Sequence, residues 1–335
     1  MPARFGNFPV ADTFYNIIAV SEILGNTYEF YYLLKDGRKV GQDSVYMFDF
    51  TPDCESEGKI IFKDRKKDRV GYLDKSGTPI IPAIYNYVSP FRNGFAIALR
   101  NAKRKCREEG GDTTNCEHLG WEGGEIVLIN DKNEILAANV SLGQRHLDWY
   151  SARVNDPLID TSMYRTITGK KGYTYSFIDF DKEFKIWFNN MFLPALKGSI
   201  HNLQDMLFDE VTGWSEENGW TALEKNTFLR TFPAVLTSGR FEANKVKDIS
   251  ISQDLFNIFI FDKGIYRKYM NACGEHNKDK FPLYRVVVTN YKKRQNPGPG
   301  NHSIFLKTHE IDYQEYFDFL KTEKGYRLLS VSVAK

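Results

Sequence analysis

A module of stacked, short antiparallel β units followed by an α+β domain is the fold this 335-residue sequence predicts, on three observations. A hairpin-like motif with the same turn residues recurs in the first half. Apolar spacing of three and four begins abruptly near residue 181. Valine-rich, alternating segments then close the chain. Aromatic residues reach 15%, and aromatic-rich chains favour strands because rings pack well on a pleated surface.

The motif is clearest over residues 68–96. Val70-Gly71-Tyr72-Leu73 reads as a strand, and Lys75-Ser76-Gly77 as a turn. Pro79-Ile80-Ile81-Pro82 and Ile84-Tyr85-Asn86-Tyr87-Val88 follow, and Phe91-Arg92-Asn93-Gly94-Phe95-Ala96 closes the copy. An earlier copy runs from Tyr31 to Ile60, with Asp36-Gly37 in the place of Ser76-Gly77 and Glu57-Gly58 in the place of Asn93-Gly94. A more degenerate third copy spans residues 121–136, and residues 101–119 read as an insertion before it. Tight hairpins need a positive φ that glycine supplies freely. Pro79 and Pro82 cannot donate to a central ladder, so they mark an edge or an irregular crossing. One copy cannot bury its own apolar face, so copies must stack or close on one another.

These residues resemble the WG repeat, also called the KWG repeat, of bacterial proteins. Val70-Gly71, Tyr72, Asp74, Gly77, Ile81-Pro82, Tyr85, Val88, Phe91, Gly94 and Ala96 follow that family's order. Val70 stands where the family carries its tryptophan. The resemblance is closest over residues 70–100, looser over 31–62 and weakest over 121–136. It implies an interaction module and brings no catalytic residues with it.

Residues 1–165 are thus expected to form the repeat module and residues 166–335 the α+β domain, with the break near Thr168-Gly169-Lys170-Lys171-Gly172. Asp181 can cap a helix whose face carries Phe184, Trp187, Phe188, Met191 and Phe192, with Pro194 to kink or end it. Ile200, Leu203, Met206, Leu207 and Val211 predict a second helix, and Trp220, Leu223, Phe228, Leu229 and Phe232 a third. Strands are expected at 281–291, 302–311, 316–320 and 326–334, with 296–300 as a loop and Lys324-Gly325 as a turn. Helices first and an antiparallel sheet last is an α+β order, similar in sequence of elements to the NTF2-like cone.

Lysine plus arginine number 45 against 43 acids, a net charge of +2. Nothing in that balance points to nucleic acid or an anionic membrane surface. The run from Lys63 to Arg69 is mixed in sign and reads as a solvated hairpin end. No apolar run is long enough for a transmembrane helix, and no signal peptide is visible. That reads as cytoplasmic, or as periplasmic or extracellular if a leader was removed. Cys106 and Cys116 flank a Gly-rich loop and can close it as a disulfide in an oxidising compartment or remain two thiols. Cys54 and Cys273 complete the set, and no CxxC pair suggests a metal.

No phosphate loop, GxSxG or HExxH is present, and the six histidines are scattered. No catalytic residue, metal ligand or cofactor is expected. Arg285 and His309, on neighbouring strands of the final sheet, are the binding candidates. Their blander reading is solvent exposure or pairing with a carboxylate such as Asp312. Tyr85, Tyr87 and Phe91 read as a ligand platform or as the core of a stacked copy, and repetition favours the core. The expected function is non-enzymatic binding of a protein or cell-envelope component. The alternative is an enzyme or small-molecule binder with a pocket in the C-terminal domain. A pocket of converging ionisable groups would favour it, and a filled apolar interior would sink it.

Overall fold

The computed structural model describes residues 14–25, 27–48, 51–108, 113–114, 116–141, 146–198, 200–215, 218–257, 260–261, 264–294 and 308–333. The described residues are strand-rich, 51% strand and 16% helix, against the roughly 20–25% strand of ordinary domains. It divides into two compact units. The first holds Met1–Ile178 and Gly264–Glu275, and the second Asp179–Lys263 and His276–Lys335. The expected boundary at 165/166 therefore moves, for a local reason. Lys170-Lys171-Gly172 is the turn of a hairpin, with Gly172 at φ 78°, and not a linker.

In the first unit, β1 (Ile17–Leu24), β2 (Thr27–Leu34) and β3 (Lys39–Val40) form one sheet. β4 (Met47–Phe48) pairs with β5 (Thr51–Pro52). β6 (Lys59–Asp64), β7 (Arg69–Asp74) and β8 (Pro79–Tyr85) make the next sheet. β9 (Tyr87–Val88) and β10 (Phe95–Arg100) belong to a third. The stretch expected as an insertion is a hairpin of its own, β11 (Lys103–Cys106) with β12 (Leu119–Glu122). β13 (Glu125–Asn130) and β14 (Ile135–Ala138) complete the third sheet. A last sheet orders β15 (Leu147–Val154), β17 (Thr174–Asp179) and β16 (Tyr164–Thr168).

Each of the three copies builds the same turn. Leu34, Asp74 and Asn130 each bond their N–H to the carbonyl four residues on, in Arg38, Thr78 and Glu134. Each also accepts from the residue three on, Gly37, Gly77 or Asn133, all at positive φ. The sheets, however, are offset from the sequence copies. β6 follows Glu57-Gly58 and pairs with β7 of the next copy, and β10 follows Asn93-Gly94 and pairs with β13. A sheet thus joins the end of one copy to the start of the next, so extracting a copy would open two sheets.

Side chains reinforce the joints. Glu57 accepts from the N–H groups of Asn93 and Gly94, the equivalent turn one copy on. Asn93 in turn donates to Trp149 O at 2.9 Å. Tyr85 Oη donates to Asn133 Oδ1 at 2.6 Å, holding the third turn. Gly71 has its own reason to be glycine. A Cβ there would lie 2.3 Å from Ile81 O, because β7 and β8 approach closely beside a register shift. The segment Gly264–Glu275 belongs to this unit, anchored by buried Tyr266 and Tyr269 and by a disulfide between Cys273 and Cys54, Cα atoms 5.9 Å apart.

The second unit opens with α1 (Phe180–Trp187), capped by Asp179, whose carboxylate accepts from Asp181 N and Lys182 N. A π-turn over Phe188–Phe192 continues it into α2 (Leu193–Ala195). There Leu193 N–H reaches back to Phe188 O, and Pro194, with no N–H, follows. The helix so passes its proline with Phe180, Phe184, Phe188 and Phe192 all buried in the core. α3 (Ile200–Gln204) is short, and then β18 (Leu207–Ser215) and β19 (Gly219–Glu224) form a hairpin before α4 (Lys225–Thr231). The second and third helices expected from apolar spacing are therefore each half strand. Val211-Thr212 is β-branched, and Gly219, after Asn218, takes φ 64° and closes the hairpin.

β20 (Lys247–Asp254), β21 (Leu283–Lys293), β22 (His309–Thr322) and β23 (Gly325–Ser332) complete a six-stranded sheet ordered β19-β18-β23-β22-β21-β20. Only β18 with β23 is parallel. The segments expected as two strands, 302–311 and 316–320, meet in the single β22, while 302–307 and the 296–300 loop lie outside the described residues. Alternation along β23 breaks at Leu329. It has no partner between the pairs Asp318↔Ser330 and Phe319↔Leu328, a bulge that puts both Leu328 and Val331 in the core. The helix-facing side of the sheet is filled by Tyr284, Val286, Val288, Phe317 and Phe319 against the α1 phenylalanines. Phe184 stacks on Tyr284 at 4.4 Å.

Candidate functional site

Arg285 sits on the sheet face opposite that core. Along the strands its row reads Ser252, Arg285, Asp318, Ser330, Thr212. Its Nε and Nη2 donate to the two Asp318 oxygens at 2.7 and 3.0 Å, and Nη1 meets Asp254 at 2.5 Å. Ser330 Oγ also donates to Asp318 at 2.7 Å. The Asp318 hydrogen bonds raise the arginine pKa further. This is a closed polar network, and the partners are Asp318 and Asp254; Asp312, the carboxylate expected from sequence, contacts Lys292 instead. His309 starts β22 opposite Lys293, its Nδ1 2.9 Å from Thr308 Oγ1. Eight positions of β21 separate Arg285 from Lys293, roughly 26 Å at the usual strand rise. The structure does not bring the two candidates together.

In the first unit, the aromatic residues considered as a platform mostly form core. Tyr85 and Phe91 are buried, and Phe91 packs on Tyr72 at 4.7 Å. Trp149 is buried against Phe177. The surface is carried by other residues of the same copy. β8 is an edge strand, and its residues alternate, with Ile81, Ala83 and Tyr85 inward and Ile80, Pro82 and Ile84 outward. Ile80 and Ile84 are 42% and 51% exposed. Alternating burial follows from the period of two, but an isoleucine-proline-isoleucine row facing solvent is not what core packing requires.

Two charged groups were not visible as sites in the sequence. Asp53 keeps some residue surface, but its carboxylate is desolvated, which pushes its pKa up to about 7 despite the N–H of Ile61 donating to it at 2.9 Å. Asp68, at the β6–β7 turn, meets Arg104 at 2.7 Å and Lys63 at 2.7 Å. The Arg104 hydrogen bond holds its carboxyl well below the carboxylate range. Arg104 also lies over the Trp121 ring, 3.8 Å from its centroid, and so locks the inserted hairpin to that turn. Only pairing across 36 residues reveals this, which no local pattern encodes. Cys106 and Cys116 are joined as a disulfide, Cα atoms 5.7 Å apart, and no cysteine is free.

Residues 71–103 match the family described as the WG containing repeat. That range contains Gly71, the β8 row and the Asn93-Gly94 turn. No curated protein and no solved structure matches the chain.

Proposed function

We propose that this protein is a non-enzymatic binding protein whose repeat module holds a protein or cell-envelope partner against the outward face of β8. The observation that carries this reading is the exposed Ile80, Pro82, Ile84 row inside the segment that matches the WG repeat. Pro82 has no N–H and interrupts the free edge, so a partner would engage side chains and not add a strand. Two disulfides and no free cysteine support an oxidising compartment, where cell-envelope components are met. The alternative of a C-terminal pocket behind an NTF2-like sheet loses support from the aromatic filling of the helix-facing side. The NTF2-like comparison itself rests on element order.

The test is affinity capture from a cell-envelope extract with the full chain and with an Ile80→Asp/Ile84→Asp variant. Both positions point to solvent, so the variant folds. Partners captured by the wild-type chain should be lost from the variant. The same partners retained at equal yield would overturn the proposal.

A further inference from the structure

The two arms of the β11–β12 hairpin carry matching residues at the loop end. One has Cys106 and, two residues on, Glu108; the other has Cys116 and, two residues on, His118. The ladder holds these ends together, with Arg107 N–H donating to His118 O at 3.2 Å. The two sulfurs and a carboxylate oxygen of Glu108 all lie within 4.8 Å of one another. Glu108 Oε1 is also 2.8 Å from His118 Nδ1. Below this point the hairpin is fixed, since Arg104 bonds to Asp68 and lies over Trp121. No CxxC pair marks these residues, because each arm supplies half of them.

A disulfide needs neither a carboxylate nor an imidazole beside it. Zinc takes all of them, binding thiolate sulfur, imidazole nitrogen and carboxylate oxygen in a tetrahedron. Zinc–sulfur bonds of about 2.3 Å put two sulfurs about 3.8 Å apart, and bonds of about 2.1 Å put a nitrogen and an oxygen about 3.4 Å apart. Glu108 and His118 need to part by only about 0.6 Å to reach that spacing. Cys106 is buried and Cys116 half-buried, whereas the Glu108 and His118 side chains are 43% and 72% exposed. The sulfurs thus lie on the hairpin side, and the exposed pair gives an ion its way in from solvent.

We propose that this hairpin end is a redox-gated zinc site. With the Cys106–Cys116 bond reduced, zinc binds both sulfurs, a carboxylate oxygen of Glu108 and a ring nitrogen of His118. A dithiol supplies the two electrons: the S–S bond breaks, two thiols form, and the dithiol's own sulfurs become a disulfide. Each cysteine thiol then gives its proton to solvent as the metal binds, because only the thiolate is a ligand. Oxidised, the same arms are joined by their disulfide, so the two forms exclude each other.

Cobalt(II) is the probe, because it occupies tetrahedral zinc sites and reports thiolate ligands by a charge-transfer band. Titrated anaerobically into the reduced full-length chain, free of any histidine tag, it should give that band with saturation at one metal per chain. Zinc should then displace it. The oxidised protein should show no band. Reduction also frees Cys54 and Cys273, so a Cys106→Ser/Cys116→Ser protein is the control, and it should lose the band. Glu108→Gln and His118→Ala change exposed side chains and should each weaken zinc binding at least about tenfold. A reduced wild-type chain without the band would overturn the proposal. So would the same band in the double-serine protein, or unchanged affinity in both Glu108→Gln and His118→Ala.

Discussion

Asp53 and His276 are both buried ionisable groups, and burial moves them in opposite directions. Asp53 is raised from 3.8 to about 7 by desolvation. The native chain therefore holds that proton more tightly than the unfolded chain. The associated stability is complete below about pH 4 and is lost as pH rises through 7. His276 is lowered from 6.5 to about 4, again by desolvation. Its neutral ring accepts from Phe256 N–H at Nδ1 and donates from Nε2 to Phe281 O at 2.6 Å. This group's contribution is present above pH 6.5 and is lost as pH falls through 4. Asp53→Asn cannot ionise. Its melting temperature should exceed that of the wild type near pH 8, with the gap closing or reversing near pH 5. Parallel melting curves for the two proteins over that range would show that Asp53 does not titrate there.

At the level of elements, glycine and cap positions carry definite costs. Gly71→Ala puts a methyl group into the Ile81–Pro82 backbone, an overpacking that costs about 1–3 kcal/mol. Gly264→Ala meets open space and serves as the control in denaturant unfolding. A midpoint shared by the two variants would contradict the close approach of β7 and β8. Asp179→Ala removes the α1 cap and should cost about 1 kcal/mol by the same measurement. The repeat hairpins were legible in the sequence because glycine at positive φ is a local requirement that shows in residue type. So was α1, whose phenylalanines sit four apart. β18 was not, because Leu203, Leu207 and Val211 also sit four apart although Leu207 and Val211 belong to a strand. The Asn218-Gly219 pair was the contrary signal, and it outweighs periodicity. β22 was cut in two at 312–315, where Asp312 has no partner between the pairs Asn290↔Tyr313 and Tyr291↔Ile311 and the alternation that identifies a strand is interrupted. Arg285 was found as a charged residue on a strand, but its partners come from β20 and β22, and register is not written in either segment alone. Arg240 and Glu315, an ion pair 75 residues apart, were missed for the same reason.

For the whole molecule, Asp53 belongs to the first unit and His276 to the second, so acid acts on them unequally. Between pH 7 and 5 the first unit should gain protection against hydrogen exchange and the second should lose it, once intrinsic rates are corrected. Mass spectrometry of peptides from the two units measures this, and equal changes in both would contradict the assignment. The Cys54–Cys273 disulfide spans 219 residues, a loop long enough for a chain-entropy stabilisation of roughly 3–5 kcal/mol. A Cys54→Ser/Cys273→Ser variant should lose that much in denaturant unfolding of the first unit. The Cys106–Cys116 loop spans 10 residues, and its removal should cost less.

The placement of Gly264–Glu275 in the first unit also governs the order in which the protein is made. A ribosome that has finished residue 178 has still to add about a hundred residues before Tyr266, Tyr269 and Cys273 emerge. At cellular rates that is roughly 5–20 s of translation, during which Cys54 waits without its partner thiol. A truncation at residue 178 makes that wait permanent. The N-terminal unit is therefore the first to begin folding, yet it cannot finish before residues of the second unit have been made.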